Sequence, residues 1–193
     1  MYAKIYYMQK QYQVVILDRD GVINEDSDEY IKSPDEWHAI PGSLEAIAKL
    51  NKAGLKVVIA TNQSGVARGL FSIATLRKIH QKMQNELAKI GGHIDDIFYC
   101  PHHPDDNCAC RKPQPKMLLD ILQKYDCWGD RPVALTLFIG DSFKDIQTAR
   151  KVGCDVILVK TGKGNKTLKE HHNELKDIPV YKDLLQAINS FIP

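Results

Sequence analysis

Five short apolar runs recur along the chain, and several stop abruptly at residues able to do chemistry. Val14-Val15-Ile16-Leu17 ends at Asp18, Lys56-Val57-Val58-Ile59-Ala60 ends at Thr61, and Leu135 to Ile139 ends at Gly140-Asp141; Ile94 to Tyr99 and Val156 to Val159 complete the set. Their length and β-branched content predict strands buried on both faces. Between them, apolar residues recur at helical spacing. Leu44, Ile47, Ala48 and Leu50 follow Pro41-Gly42-Ser43, with Ser43 as the expected cap and Gly54 closing the helix. Ile73, Leu76, Ile79, Met83, Leu87 and Ile90 lie between Ser72 and Gly91-Gly92. Met117, Ile121, Leu122 and Tyr125 mark a third helix, and Leu184, Leu185, Ile188 and Phe191 a last one. A shorter helix is expected over 143–152, while 161–179 reads as a polar, mobile loop.

Strand-helix alternation of this kind predicts an α/β fold, an open parallel sheet with helices on both faces. Nothing divides residues 1–193 into two domains, and residues 1–12 show no sign of an ordered element, so that Met8 is a candidate start. In such sheets ligands bind beyond the carboxyl ends of the strands. Asp18, Asp20, Thr61, Asn62 and Asp141 are therefore expected along one edge.

Composition adds exclusions. With 44% hydrophobic and 26% charged residues and a net charge of +2, the chain reads as an ordinary globular protein. No concentrated basic stripe points to nucleic acid. No apolar stretch approaches the ~20 residues needed to span a bilayer, and the first residues lack a signal-peptide core. The expectation is a cytoplasmic protein that acts on a small molecule, with monomer as the default in the absence of an obvious partner stripe. Five cysteines, three of them within eleven positions, suit a metal site in a reducing compartment better than a disulfide framework.

Asp18-Arg19-Asp20-Gly21 places two carboxylates after a buried strand, at a glycine that permits a turn. Read alone, it is either a polar turn or a phosphoryl-transfer pair. In the second reading Asp18 is a nucleophile forming an aspartyl-phosphate, and Asp20 the acid that protonates the leaving alkoxide and then activates water. Gly140-Asp141-Ser142-Phe143-Lys144-Asp145 is either a helix cap or a source of metal ligands. Mg²⁺ keeps several waters, so Asp18, Asp141 and the Asp20 carbonyl would suffice, with Asp145 orienting them from behind. Thr61 offers a hydroxyl for phosphoryl oxygens, and Lys112 a cation against charge developing on the phosphoryl group.

Asp18-x-Asp20-Gly21, Thr61-Asn62, Lys112 and Gly140-Asp141-x-x-x-Asp145 together resemble, in order and spacing, the four motifs of the haloacid dehalogenase superfamily of phosphatases. The resemblance implies a Rossmann-like fold, Mg²⁺ and the roles just given.

Cys100, His102, Cys108 and Cys110 lie in one eleven-residue loop and supply a closed Cys₃His set, which suits structural Zn²⁺, although His103 competes with His102 as the ligand. The loop runs into Arg111-Lys112-Pro113 and is expected to fix both cations at the rim of the site. This loop, with Arg-Lys-Pro, is similar to the branch holding heptose bisphosphate and histidinol-phosphate phosphatases, which lacks a large cap domain. Within that branch, Asp18 to Asn24 and Thr61 to Gly69 look like the heptose enzymes, implying hydrolysis of a sugar bisphosphate for lipopolysaccharide core or related glycans. The resemblance places Arg19, Asn24, Asn62, Gln63, Ser64 and Ser142 on the substrate side and leaves the anomer open. Arg68 and Arg111 are candidates for a second phosphate, or solvated surface residues. Asp26, in the acidic segment 25–30, belongs either to a sugar-binding flap or to a solvated loop. The rival readings are a histidinol-phosphate phosphatase, a DNA 3′-phosphatase and an inactive zinc-bearing binding module.

Overall fold

The structure, a computed structural model, describes residues 12–127 and 133–192. Expectations for residues 1–11 lie outside the described residues; Tyr12, expected to lack order, is buried, and its ring meets Phe191 edge-on at 5.6 Å.

The predicted runs are strands β1 (Val14–Leu17), β2 (Lys56–Asn62), β3 (Asp96–Cys100), β4 (Thr136–Gly140) and β5 (Asp155–Val159), joined by a two-residue β6 (Val180–Tyr181). They form one all-parallel sheet in the order β3-β2-β1-β4-β5-β6. Helices α1 (Ser43–Lys52), α2 (Ile73–Ala88), α3 (Lys116–Lys124), α4 (Phe143–Val152) and α5 (Gly164–Glu170) make the connections, and α6 (Leu184–Asn189) follows the last strand. This is the Rossmann-like arrangement expected, with no large cap domain.

Unbroken apolar runs arise because both faces of the sheet are covered. On β1, Val15 and Leu17 enter one core with Ile47 and Leu50 of α1, Met83 of α2 and Ile188 of α6. Val14 and Ile16 point the other way, to Leu118 and Ile121 of α3 and Ile146 of α4. The period-2 geometry of a strand thus divides each run between two hydrophobic layers.

Two local expectations need correction. Ser43 does not cap α1: Gly42, at φ +85°, holds that position, and the buried Ser43 hydroxyl donates to the Ile23 carbonyl at 2.6 Å. A side chain on Gly42 would also press within 2.9 Å of Leu185. Second, 161–179 is not simply a loop, because α5 lies within it, and Leu175 and Ile178 are buried. A seven-residue helix with few apolar positions carries too little periodicity to register in sequence. No helix among the described residues is long and apolar enough to cross a membrane.

Leu118 is fully buried on α3. Leu118→Ala should cost about 2–5 kcal/mol, through lost transfer energy and an unfilled cavity, read as a lower midpoint of urea unfolding.

Candidate active site

The sheet order reverses between β1 and β4, and the strand ends there deliver the polar residues. Leu17 sits in register with Ile59 on one side and Ile139 on the other, and Asp18 N–H donates to the Ile139 carbonyl at 3.0 Å. Thr61, Gly140 and Asp141 therefore emerge beside Asp18. They open onto a cavity of about 460 Å³ lined by Asp18, Asp20, Thr61, Lys112 and Asp141, among others.

Ligand oxygens of Asp18, Asp141 and Asp145 lie within 4.8 Å of one another. Lys112, 2% exposed, pairs with Asp18 Oδ2 at 2.8 Å and Asp145 Oδ1 at 2.7 Å. Burial alone would push the ammonium down, but Asp145 and Asp18 hold it well above the usual lysine range. Burial pushes Asp18 up to about 6, against the pull of Lys112 and with the help of Asp145. Asp141 is raised by burial and by the charges of Asp145 and Asp18. One ammonium does not neutralise three carboxylates, so the cluster fits a hard divalent cation bound by Asp18 and Asp141. Asp145 is not free to join them. Its Oδ2 accepts from Ser142 N–H at 3.0 Å and Ser142 Oγ–H at 2.6 Å, while Oδ1 faces Lys112, which matches the orienting position expected for it. Gly21 and Gly162 press on Asp141: a Cβ on either would stand within about 2.2 Å of its Oδ2.

Asp20 is held differently. Arg19 Nη2 donates to its Oδ1 at 2.8 Å and Oδ2 at 3.0 Å, Asn24 Nδ2 to Oδ1 at 2.9 Å, and Gln63 Nε2 to Oδ2 at 2.8 Å. Burial pushes Asp20 up, but the Arg19 charge and these hydrogen bonds outweigh it and keep the carboxyl below its ordinary value. This corrects the expected placement of Arg19 and Asn24 on the substrate side. Both are buried, at 1% and 0% exposure, with their side chains turned onto Asp20 rather than into the cavity. Gln63 lines the cavity but is likewise engaged, also donating to Thr61 Oγ1 at 3.0 Å. Asn62 spends both ends of its amide on the Lys112 main chain, each at 3.0 Å, and so positions that lysine.

Farther out, Ser64, Arg111, Ser142 and Asp26 line the cavity. Arg111 Nη1 is buried with no hydrogen-bond partner among the described residues. Arg68 is exposed and lies outside the cavity lining, because the turns that run from Gln63 to Leu70 carry it to the outer surface. Segment 25–30 does fold over the site: Asp26, Ser27, Asp28 and Tyr30 line it, and Asp26 Oδ2 pairs with Lys163 Nζ at 3.0 Å.

The sequence reading missed the α5 region. Lys163 N–H donates to Asp141 Oδ2 at 2.7 Å and Thr167 Oγ1 to the Asp141 carbonyl at 2.9 Å, while Lys144, Lys163 and Lys166 add cations to the cavity wall. The Gly162-Lys163-Gly164 triplet was the available signal, a close backbone approach just after β5.

Beside the site, Cys100, His102, Cys108 and Cys110 converge, with Sγ and Nδ1 atoms 3.2–3.6 Å apart along the recorded contacts. A tetrahedron with ~2.3 Å metal–sulfur bonds has edges of roughly 3.8 Å, so the spacing suits zinc. His103 is turned away, its Nδ1 accepting from Asp105 N–H at 3.4 Å and its backbone N–H donating to Asp106 Oδ2 at 2.8 Å. No disulfide competes for these thiols.

Comparison with known proteins agrees with this geometry. Residues 109–187 match the HAD-hydrolase-like family. The chain is 56% identical over 158 residues to D-glycero-beta-D-manno-heptose-1,7-bisphosphate 7-phosphatase of Bordetella bronchiseptica, covering 82% of this chain and 86% of that protein. The protein of the same name from Neisseria meningitidis is 43% identical, over 93% of this chain and 94% of its own. Among solved structures, D,D-heptose 1,7-bisphosphate phosphatase from B. bronchiseptica, complexed with magnesium and phosphate, aligns with a TM-score of 0.87 at 52% identity, covering 92% of this chain and 96% of that one. The Burkholderia thailandensis enzyme aligns with a TM-score of 0.71 at 41% identity, covering 93% and 97%.

A cation held by Asp18 must displace the proton that burial favours there. Magnesium affinity measured by calorimetry should therefore fall as pH drops through about 6, where Asp18 titrates, with the raised Asp141 adding to the fall. An affinity unchanged down to pH 5 would overturn this competition between proton and metal.

Proposed function

The chain belongs to the D-glycero-D-manno-heptose 1,7-bisphosphate 7-phosphatases, HAD-like hydrolases, and on that footing we propose that it removes the 7-phosphate of D-glycero-β-D-manno-heptose 1,7-bisphosphate in the supply of heptose precursors for lipopolysaccharide or related glycans. The observation that carries the reading is Asp18, beside Asp20, Lys112 and Asp141, at the floor of a cavity that Arg111, Lys144, Lys163 and Lys166 also line. The β-anomer is the one named for the B. bronchiseptica, Pseudomonas aeruginosa and N. meningitidis relatives.

An Asp18 oxygen attacks phosphorus in line and the bond to the sugar O7 breaks, giving an aspartyl-phosphate. Asp20 delivers its proton to O7 as that bond breaks, so the sugar leaves as an alcohol. Asp20, now a carboxylate, takes a proton from water, whose oxygen displaces Asp18 and releases inorganic phosphate. The clamp of Arg19, Asn24 and Gln63 favours this carboxylate form, while the approaching phosphate dianion favours the protonated one. Thr61 and Ser64 hold phosphoryl oxygens, and Lys112 offsets their charge. Mg²⁺, bound by Asp18, Asp141 and the Asp20 carbonyl, would supply charge neutralisation for the transferred group. The 1-phosphate is read at Arg111, whose Nη1 is buried without a partner, and Lys144 stands on the same wall. Asp26 and Ser142 face the sugar.

Cys100, His102, Cys108 and Cys110 would hold a structural zinc, which would fix the short path to Arg111 and Lys112. An inactive scaffold is at odds with the intact Asp18, Asp20, Lys112 and Asp141.

Asp18→Asn should abolish phosphate release, and the native protein should prefer heptose 1,7-bisphosphate over histidinol phosphate by at least a hundredfold in kcat/KM; equal or reversed preference overturns the substrate assignment. Cys108→Ala, shown by metal analysis to lack zinc, should raise KM for the bisphosphate about tenfold or more through loss of the Arg111 position, with a smaller change in magnesium affinity.

A further inference from the structure

On the buried face of α2, in line with Leu76, Ile79, Met83 and Leu87, stands a histidine where the helical pattern calls for an apolar residue. His80 is 7% exposed, and its Nε2 lies 3.3 Å from Arg19 Nη1. Arg19, itself 1% exposed, extends the other side of its fork to Asp20 and reaches Gln63 Oε1 at 3.3 Å.

We propose that His80 is a positioning residue for the acid-base carboxylate Asp20, acting through Arg19; this rests on the acid-base role assigned to Asp20 above. A guanidinium has donors on every nitrogen and no acceptor, so His80 Nε2 is the acceptor and the ring carries its proton on Nδ1. Burial and the Arg19 charge push His80 down to about 3, which keeps it a neutral acceptor throughout the working range. Arg19 grips Asp20 through Nε and Nη2, and a hold on its far nitrogen Nη1 fixes the remaining tilt of the planar fork. His80 is the helix-borne stop for that tilt. It touches neither the cavity nor the reacting atoms, and couples the orientation of Asp20 to the packing of α2 on the sheet.

A histidine that merely fills the core would be replaceable by leucine without a selective effect on chemistry. The leaving group separates the two cases. A sugar alkoxide needs a proton from Asp20, whereas the 4-nitrophenolate of 4-nitrophenyl phosphate departs without one. For His80→Leu, kcat/KM for heptose 1,7-bisphosphate should fall roughly tenfold, within the span of general acid catalysis, and by less than about threefold for 4-nitrophenyl phosphate. The loss should lie in kcat rather than KM, and His80→Gln, whose amide oxygen can accept near the Nε2 position, should recover most of it. The ratio of two kcat/KM values from one preparation is insensitive to any unfolded fraction. Equal losses on both substrates, no loss on the bisphosphate, or no recovery in His80→Gln would overturn the proposal. Asp20→Asn is the reference. If it shows the leaving-group selectivity and His80→Leu does not, the positioning role alone falls. If it shows none, the acid role of Asp20 falls and the His80 inference with it.

Discussion

Lys112, almost fully buried, lies within 2.8 Å of both Asp18 and Asp145 at the end of the β1 strand, and the rest of the site is arranged around that contact. A buried ammonium is tolerable only when paired, and removing one partner of such a group typically costs several kcal/mol. Three buried carboxylates against one lysine leave the opposite problem, an excess of negative charge that raises Asp18 and Asp141. The sheet bears this electrostatic cost at the edge where a cation relieves it. Asn62 fixes the lysine backbone, Ser142 fixes Asp145, and Lys163 and Thr167 fix Asp141, so these three are held from different segments of the chain.

Two residues from Asp18, Asp20 lives in a contrary environment. Burial acts on both carboxyls, but Asp20 receives a guanidinium and two amide donors and is held low, while Asp18 remains high, at about 6. By themselves the protein's own groups thus set the two pKa values opposite to the assigned roles; a bound cation would lower Asp18 and a phosphate dianion would raise Asp20. The network behind Asp20 reaches α2 through Arg19, so the proposed chemistry draws on a helix that does not line the cavity.

Outside this inner pair the cavity lining carries cations as well as acids. Arg111 follows the Cys/His cluster directly, and Lys144 of α4, Lys163 of the β5–α5 connection and Lys166 of α5 also line the cavity, beside Asp26, Asp28 and Glu170. Segment 25–30 closes toward Lys163 through the Asp26–Lys163 pair. These added cations suit a substrate with two phosphates, one reacting over Asp18 and one held farther out.

Alternation of buried strands and amphipathic helices was legible in the chain because hydrophobic layering forces it: β1 through β5 and most helices follow directly from where apolar residues recur. Asp18, Asp20, Thr61, Lys112 and Asp141 stood out because a polar residue at the end of a buried strand, or a lysine beside a metal-binding loop, has few other reasons to be there. The Cys100 to Cys110 spacing was equally plain, since four soft ligands in one short loop are uncommon. Direction was not legible. Arg19, Asn24 and Gln63 belong to motifs beside the cavity, yet their side chains support Asp20, and only packing decides which way a side chain turns. α5, its grip on Asp141 and the link from His80 to Arg19 depend on contacts between residues 22 to 61 positions apart, and no local pattern encodes which distant groups will meet. The sequence by itself determined the layers and the chemical groups at the strand ends, because burial and periodicity are local properties of a chain. Which of those groups touch one another, and which therefore face the substrate, was decided by the tertiary structure, because pairing of charges in a dry interior depends on distances that exist only after folding.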